Sequence, residues 1–178
     1  QFNPYLESII EASLARTTWQ HFRARFDPQN GHPYTILHSD FYPGNALVGK
    51  EDEKIYIIDF ECCSIGSGPQ DCSQWVISHL HPEVRKKHEL ELLKQYYESL
   101  TTASRGQNRV VDSTQYTFEM CLNDYIFAAG KWIWLICICA PMLDIIPDKL
   151  YQHFITQLTD FLQTHNVKPD ENVPLPRP

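Results

Sequence analysis

Apolar residues recur at helical intervals over most of this chain, and at strand-like intervals over one short part of it. An Asn3-Pro4 start followed by an apolar stripe predicts a first helix over about 4–26. The same spacing predicts four more helices, over 72–80, 82–100, 113–143 and 147–165. About five helices with few strands indicate an α+β domain that is mainly helical.

Short β-rich runs lie between the first two predicted helices. Residues 34–37 are typical of a strand, and 45–49 and 54–59 are apolar runs joined by a charged turn. We expect these two runs to form a hairpin packed on the helices, which would fold the end of its second strand back toward the start of its first. Residues 64–70 are rich in Gly and are expected to be loop.

Three polar side chains interrupt this strand-like region. Asp40 and Asn45 belong to the pattern His-x-Asp-x-x-x-x-Asn that starts at His38, and Asp59 stands directly before Phe60. Phosphotransferases use this spacing to place a hydroxyl nucleophile and to hold magnesium against a nucleotide. The pattern therefore predicts a kinase active site, with Asp40 as the catalytic base and with Asn45 and Asp59 as oxygen ligands of Mg²⁺.

Three neighbouring polar residues are candidates for supporting roles. We expect His38 to brace the loop by hydrogen bonding rather than to carry chemistry. Glu61 would share a strand face with Asp59, and would either assist the metal or form a salt bridge. Asp71 would either cap the helix that follows it or anchor the loop.

Composition and charge narrow the classes of partner. The 178 residues are of a size for one domain, and the formal net charge of −7 argues against a nucleic-acid partner. The most hydrophobic run, 132–143, falls short of the ~20 apolar residues of a membrane helix, so we expect a buried helix and no membrane partner. Its tryptophans, with nearby aromatics, are either core or an aromatic wall for a cationic substrate.

The cysteines indicate the cellular compartment, and the composition of the C-terminal residues indicates where the domain ends. None of the six cysteines forms a Cys-x-x-Cys pair, and the first residues do not read as a secretory leader. We expect reduced thiols and a cytoplasmic protein. Four prolines among residues 167–178 predict an extended or disordered tail after a domain over 1–166.

The motif segments resemble those of a known family of enzymes. Residues 38–45 and 57–61, followed by Gly-Ser-Gly-Pro-Gln-Asp at 66–71, are similar to the catalytic and metal motifs of aminoglycoside phosphotransferase and choline kinase-like small-molecule kinases. The Gly-rich stretch is most similar to the ecdysteroid-kinase-like, or CHK-like, branch. The resemblance implies a protein-kinase-like C-terminal lobe, ATP as phosphate donor, a hydroxylated small molecule as acceptor, and the roles given above for Asp40, Asn45 and Asp59.

The resemblance also implies a second lobe. Such kinases carry a Gly-rich phosphate loop and a phosphate-binding Lys ahead of these motifs, whereas the first Gly here is Gly31. We therefore expect the C-terminal lobe only, inactive without an N-terminal nucleotide lobe as its partner. The rival hypotheses are a non-catalytic binding or regulatory remnant, and a metal-dependent hydrolase that uses His38, Asp40 and Asp59.

Overall fold

The computed structural model describes residues 2–25, 33–102, 111–139, 146–170 and 173–174. These residues form helices α1 (Pro4–Ala15), α2 (Trp19–Arg25), α3 (Pro69–His79), α4 (Pro82–Thr102), α5 (Phe118–Phe127), α6 (Ala129–Cys139) and α7 (Asp148–Thr164). Four short strands stand between α2 and α3: β1 (Thr35–Leu37), β2 (Ala46–Val48), β3 (Ile55–Ile57) and β4 (Ser64–Gly66). The α+β, mainly helical class predicted from the sequence is confirmed.

The strands form two separate antiparallel pairs. β2 pairs with β3, with Ala46 opposite Ile57, so the predicted hairpin is confirmed. β1 pairs with β4, with Leu37 opposite Ser64, although β4 lies in the segment predicted to be loop. The loop prediction for this segment is wrong, because Gly66 lets β4 lie close to β1 and does not mark a turn. A Cβ at this position would lie 2.6 Å from the side chain of Leu37.

The first predicted helix is in fact two helices, and their separation has a local cause. α1 begins after Asn3, whose side chain accepts a hydrogen bond from Leu6 N at 2.8 Å, and ends at Ala15. The hydroxyl of Thr18 then accepts from His21 N at 3.2 Å and so caps α2. Threonine hydroxyls compete for backbone groups in this way, which favours a helix boundary over a continuous helix.

The helix predicted over 113–143 is also two helices. The first of them, α5, begins at Phe118 and not at residue 113, because the side chain of Thr117 accepts a hydrogen bond from Met120 N and so caps the helix there. The α-helical hydrogen bonding is interrupted at Ala128, whose carbonyl accepts from Lys131 N at 3.1 Å, three positions on. Pro141, predicted to bend or end this helix, lies outside the described residues. The two divisions explain why the described part of the chain holds seven α-helices rather than about five.

Helix α3 lies at the centre of the helical packing, in contact with α4, α5, α6 and α7. Its residues Val76 and Ile77 belong to one hydrophobic core that also takes Leu6 and Ile9 from α1. In α4, the helical spacing of apolar residues predicts that Leu90 and Leu93 point inward. Leu93 does enter this core, whereas Leu90 is 51% exposed. Because α3 follows β4 directly, the core fixes the position of the helix that stands beside the polar loop.

The two ends of the described chain are joined. Tyr5 Oη in α1 donates a hydrogen bond to Val167 O at 2.8 Å, across 162 positions of sequence. Val167 and Val173 are both buried in the core. The described residues after 166 therefore pack on the domain at these two positions, where the proline content predicted an extended or disordered tail.

A buried ionic network connects α4 with α7. The Arg85 guanidinium binds both carboxylate oxygens of Glu89, at 2.8 and 3.0 Å, and also pairs with Asp160. Glu89 further accepts from Tyr125 Oη at 3.0 Å and contacts His165 Nε2 at 3.3 Å. Burial alone raises the pKa of Glu89, but hydrogen bonds and charge from His165 and Arg85 outweigh it and lower that pKa below its ordinary value.

Within the described ranges, no helix combines the length and the apolar character needed to cross a membrane. In α6, Trp132, Ile133 and Ile136 are buried. These positions agree with the prediction that the apolar run forms a buried helix.

The lowered pKa of Glu89 predicts a pH-dependent contribution to stability. Glu89→Gln should lower the free energy of unfolding by about 3 kcal/mol at neutral pH, because the buried Arg85 then keeps only the partly exposed Asp160 as its counter-charge. The difference from wild type should persist above the ordinary glutamate pKa of about 4.3 and vanish as the pH falls through the lower folded-state pKa. Urea unfolding between pH 3 and pH 7 measures it. Glu98→Gln, at an exposed α4 position, is the control, and an equal effect there would contradict the assignment.

Candidate active site

The polar loop between β1 and β2 is held in an uncommon backbone conformation. Ser39 has a φ of 65°, in the left-handed region that non-glycine residues rarely adopt. Residues Pro43–Asn45 then form a 3₁₀ turn, closed by a hydrogen bond from Asn45 N to Tyr42 O at 2.9 Å. This turn buries Asn45, which is 4% exposed, against the loop that carries Asp40.

Both carboxylate oxygens of Asp40 accept a hydrogen bond from a buried amide side chain. Asn45 Nδ2 donates to Asp40 Oδ2 at 3.2 Å and to the Asp40 backbone carbonyl at 2.9 Å. From the other side, Gln74 Nε2 on α3 donates to Asp40 Oδ1 at 3.3 Å. The plane of the carboxylate is therefore fixed, while the side chain remains accessible at the wall of a cavity.

His38 is a brace between the loop and the end of the hairpin. Its Nε2 lies 2.7 Å from Ile58 O, a carbonyl that can only accept, so Nε2 carries the proton. Its Nδ1 then accepts from Asp40 N at 3.3 Å. Both ring nitrogens are engaged, which fits the predicted bracing role. It also argues against the metal-dependent hydrolase, which requires a ring nitrogen of His38 as a metal ligand.

Asp71 is the anchor that attaches this loop to α3. Its two oxygens accept hydrogen bonds from consecutive backbone amides, from His38 N at 2.7 Å and from Ser39 N at 3.0 Å. Asp71 stands in the first turn of α3, which begins at Pro69 after Gly68, so it is not the helix cap. Of the two roles predicted for Asp71, loop anchor is therefore the one the structure has, and the helix cap is wrong.

The hairpin brings Asp59 to the head of the same loop. Ile58 N donates to Asn45 O at 3.0 Å, which makes Asp59 the next residue beyond this pairing. Asp59 has a φ of 65° and an exposed side chain. Glu61 was predicted to share a strand face with Asp59, and this is wrong because β3 has ended: Glu61 stands in the 3₁₀ turn Phe60–Cys62, also exposed.

Two residues of the site, Gln74 and Lys131, were not predicted from the sequence. Lys131 Nζ donates to Ser39 O and, at 2.7 Å, to Gln74 Oε1. Gln74 carries a weak signal in the sequence, since it follows Asp71 by three positions and so shares its helix face. Lys131 is the single charged residue of α6, a signal that the hydrophobic periodicity obscured.

A cavity of about 400 Å³ opens beside Asp40. Its polar lining includes Asp40, Gln74 and Lys131, and the rest is largely aromatic and apolar, from Tyr42, His79, Trp132, Trp134, Leu135 and Phe154. Some of the aromatic residues therefore line a cavity, and others belong to the core. The two tryptophans line the cavity, whereas Tyr125 is buried in the core against Glu89.

The oxygen donors at this loop suit magnesium. Because Asn45 turns its amide nitrogen to Asp40, its amide oxygen faces away from that carboxylate. The exposed Asp59 directly follows Ile58, whose backbone N donates to Asn45 O. Magnesium favours such oxygen donors, and one or two from the protein suffice when phosphates and waters complete its shell. Across the described residues, no three His, Cys, Asp or Glu side chains converge as a self-sufficient metal site.

Comparison with protein families agrees with this geometry. A family model described as "Ecdysteroid kinase-like family" matches residues 9–108, more than half of the chain. The chain belongs to the ecdysteroid kinase-like family. The predicted branch is thereby confirmed, and membership in this family of kinase-like phosphotransferases supports an enzyme of the small-molecule kinase type.

The family match covers the loop, the hairpin and the first helices after them. Asp40, Asn45, Asp59, Asp71 and Gln74 all lie within it, whereas Lys131 lies beyond its end at residue 108. No curated protein and no solved structure is significantly similar to the chain.

The anchoring role of Asp71 predicts a large cost for its removal. Asp71→Ala should lower the free energy of unfolding by roughly 2–3 kcal/mol, because two backbone amides lose a charged acceptor. Glu83→Ala is the matched control, since Glu83 also stands in the first turn of a helix and should cost only about 0.3–1 kcal/mol through the helix dipole. Urea unfolding of both variants decides the matter: equal costs would mean that Asp71 acts on its own helix and does not hold the loop.

Proposed function

We propose that this chain is the catalytic lobe of an ATP- and Mg²⁺-dependent phosphotransferase that acts on a small-molecule hydroxyl group. One observation carries the proposal: the Asp40 carboxylate is fixed between Asn45 and Gln74 at the wall of an aromatic cavity. Membership of the ecdysteroid kinase-like family supports the same class of reaction.

Asp40 is the proposed base. An acceptor hydroxyl in the cavity would donate its proton to the Asp40 carboxylate as the hydroxyl oxygen forms its new bond to the γ-phosphorus of ATP. The bond between that phosphorus and the bridging oxygen breaks in the same step, and ADP leaves with the bond's electron pair. The donors on the two carboxylate oxygens hold the group in one orientation, so little reorientation is needed when the proton is transferred. His38 keeps the backbone of the loop in register with the hairpin during this step.

Asn45 and Asp59 are the proposed ligands of magnesium, which when bound neutralises charge on the phosphate oxygens of the nucleotide. The left-handed backbone of Asp59 supports a functional role, because strained conformations of this kind cluster at active sites and ligand clamps. Glu61 stands two residues further, exposed in the 3₁₀ turn, where it would assist this carboxylate.

The cavity lining favours an apolar alcohol as the acceptor. Trp132, Trp134 and Phe154 offer large aromatic surfaces that an apolar ring system can cover. The Lys131 ammonium in the same wall offsets the negative charge of Asp40. The cavity therefore lacks the excess of negative charge that would favour polycationic aminoglycosides and quaternary amino alcohols, although its aromatic wall alone would attract them.

An N-terminal nucleotide lobe is the proposed partner. The two small sheets turn large apolar side chains to solvent, with Ile36 74% and Ile65 72% exposed on β1 and β4. Val48 and Ile55 of the hairpin are each 67% exposed. Such a surface beside the magnesium ligands suits a lobe that would supply the remaining phosphate contacts.

We propose a cytoplasmic protein with no nucleic-acid partner, which the free thiols of Cys62, Cys63, Cys72 and Cys121 and the net charge of −7 support. The kinase-like domain would extend over 1–166, and the Pro-rich segment after it would pack on the domain through Val167 and Val173.

Phosphoryl transfer from ATP tests the function directly. The chain, supplied with a nucleotide-binding lobe, is assayed with Mg²⁺ against polycyclic alcohols, amino alcohols and aminoglycosides. We expect turnover with an apolar alcohol, and we expect Asp40→Asn to reduce kcat by about 10²–10⁴-fold, since the base is lost and the shape is kept. Asp148→Asn, at an exposed position on α7, is the control.

The outcomes of this assay separate the candidate functions. Turnover that survives Asp40→Asn would sink the assignment of the base. If folded wild-type protein binds an apolar alcohol but transfers no phosphate, the non-catalytic binding or regulatory module is the better description.

Asp59 is tested through the metal requirement. Asp59→Asn should raise the Mg²⁺ concentration needed for half-maximal activity by at least tenfold, because a charged oxygen ligand is replaced by a neutral one. Glu53→Gln is the control, since Glu53 is also exposed and also has a positive φ, but lies in the hairpin turn. A magnesium titration in the same assay provides the measurement, and an unchanged Mg²⁺ requirement contradicts the role of Asp59.

A further inference from the structure

One charged residue reaches the catalytic loop from far along the chain. Lys131 on α6 donates to Ser39 O, 92 positions away, and to Gln74 Oε1 at 2.7 Å. Neither contact is made with Asp40 itself. Gln74, which is buried with 7% exposure, lies between the two charges and donates its Nε2 to Asp40 Oδ1 at 3.3 Å.

The two charges fix the orientation of the Gln74 amide. A glutamine amide is nearly symmetric in shape, so packing alone does not choose between its two orientations. With the oxygen toward Lys131 and the nitrogen toward Asp40, both contacts are attractive. Rotation by 180° would place a donor against the ammonium group and an acceptor against the carboxylate, and both contacts would be lost.

We propose that Lys131 is a positioning residue that acts through Gln74: it fixes the side-chain amide so that Nε2 donates to Asp40 and holds the carboxylate in its reactive plane. The inference rests on the proposed function for its effect on rate, but the orientation of the amide is independent of that function. It also assigns a role to a part of the chain that lies beyond the match to the ecdysteroid kinase-like family.

The surroundings of Lys131 are suited to this role. Burial lowers the pKa of Lys131, and the carboxylates of Asp40 and Asp71 together with Cys62 act in the opposite direction. In such a partly desolvated place a charge acts on its neighbours more strongly than it does in water. Asn45 completes the arrangement from the other side, so that each oxygen of Asp40 has one donor.

Direct contact with substrate is the competing explanation. Lys131 lines the cavity of about 400 Å³ beside Asp40 and an adjoining cavity of about 280 Å³. A lysine that bound a phosphate or an acceptor there would be a catalytic or binding residue in its own right. Its removal would then be felt whether or not Gln74 was present.

A double-mutant cycle distinguishes the two explanations. In the phosphoryl-transfer assay, Lys131→Met should lower kcat by at least tenfold with little change in the acceptor KM, and Lys131→Arg should restore most of the loss. In a Gln74→Leu background, where Lys131 keeps only its contact with Ser39 O, Lys131→Met should lower kcat by less than about threefold. A larger additional loss in that background, or a rise in KM in place of the fall in kcat, would overturn the proposal. Lys94→Met, at an exposed position on α4, is the control.

A second measurement does not depend on enzymatic turnover. In ¹⁵N-resolved NMR spectra, the Gln74 side-chain amide protons of the wild type should be slow to exchange with solvent. In Lys131→Met they should shift and exchange at least tenfold faster, while those of Lys94→Met stay unchanged. Unchanged Gln74 resonances in Lys131→Met would refute the inference. An inactive wild type with the expected amide shifts would instead count against the proposed function alone.

Discussion

The hydrogen bonds from two consecutive backbone amides to Asp71 are the interaction on which the rest of the site depends. They tie the loop that carries Asp40 to the first turn of α3, and α3 is the helix that contacts four others. The loop also packs on α3 through Phe41, whose ring centroid lies 4.8 Å from that of Trp75, but the backbone next to Asp40 is fixed by these hydrogen bonds. Through the Asp71 carboxylate this backbone acquires the rigidity of the helical core.

The same kind of interaction occurs elsewhere in the structure: a buried charged side chain of one element holds a polar group of another. Asp124, 2% exposed on α5, accepts from Ser67 Oγ at 2.5 Å and so holds the segment that leads into α3. Arg85, which is paired with Glu89 on its own helix, connects α4 to Asp160 of α7 in a comparable way. Such buried charges cost desolvation energy, so the loss of any one partner destabilises the fold.

The sequence predicted the parts of this molecule that depend on neighbours in the chain. The helical class, the β2–β3 hairpin and the spacing of Asp40, Asn45 and Asp59 all follow from local periodicity and local motifs. Gln74 and Lys131 were missed because their importance arises from contacts across 34 to 92 positions. The division of two helices was missed because the hydroxyl of Thr18 and the irregular bonding at Ala128 interrupt the backbone without interrupting the apolar pattern.

The hydrogen bond between Tyr5 and Val167 has a consequence for the order in which the chain can fold. Proteins are synthesised from the N-terminus at about 5–20 residues per second, so α1 is made well before the segment that closes on it 162 positions later. During that interval its apolar face, Leu6, Ile9 and Ile10, lacks part of its final packing. Contacts of such sequence separation form slowly, so α1 reaches its final packing late although it is synthesised before the segment that closes on it.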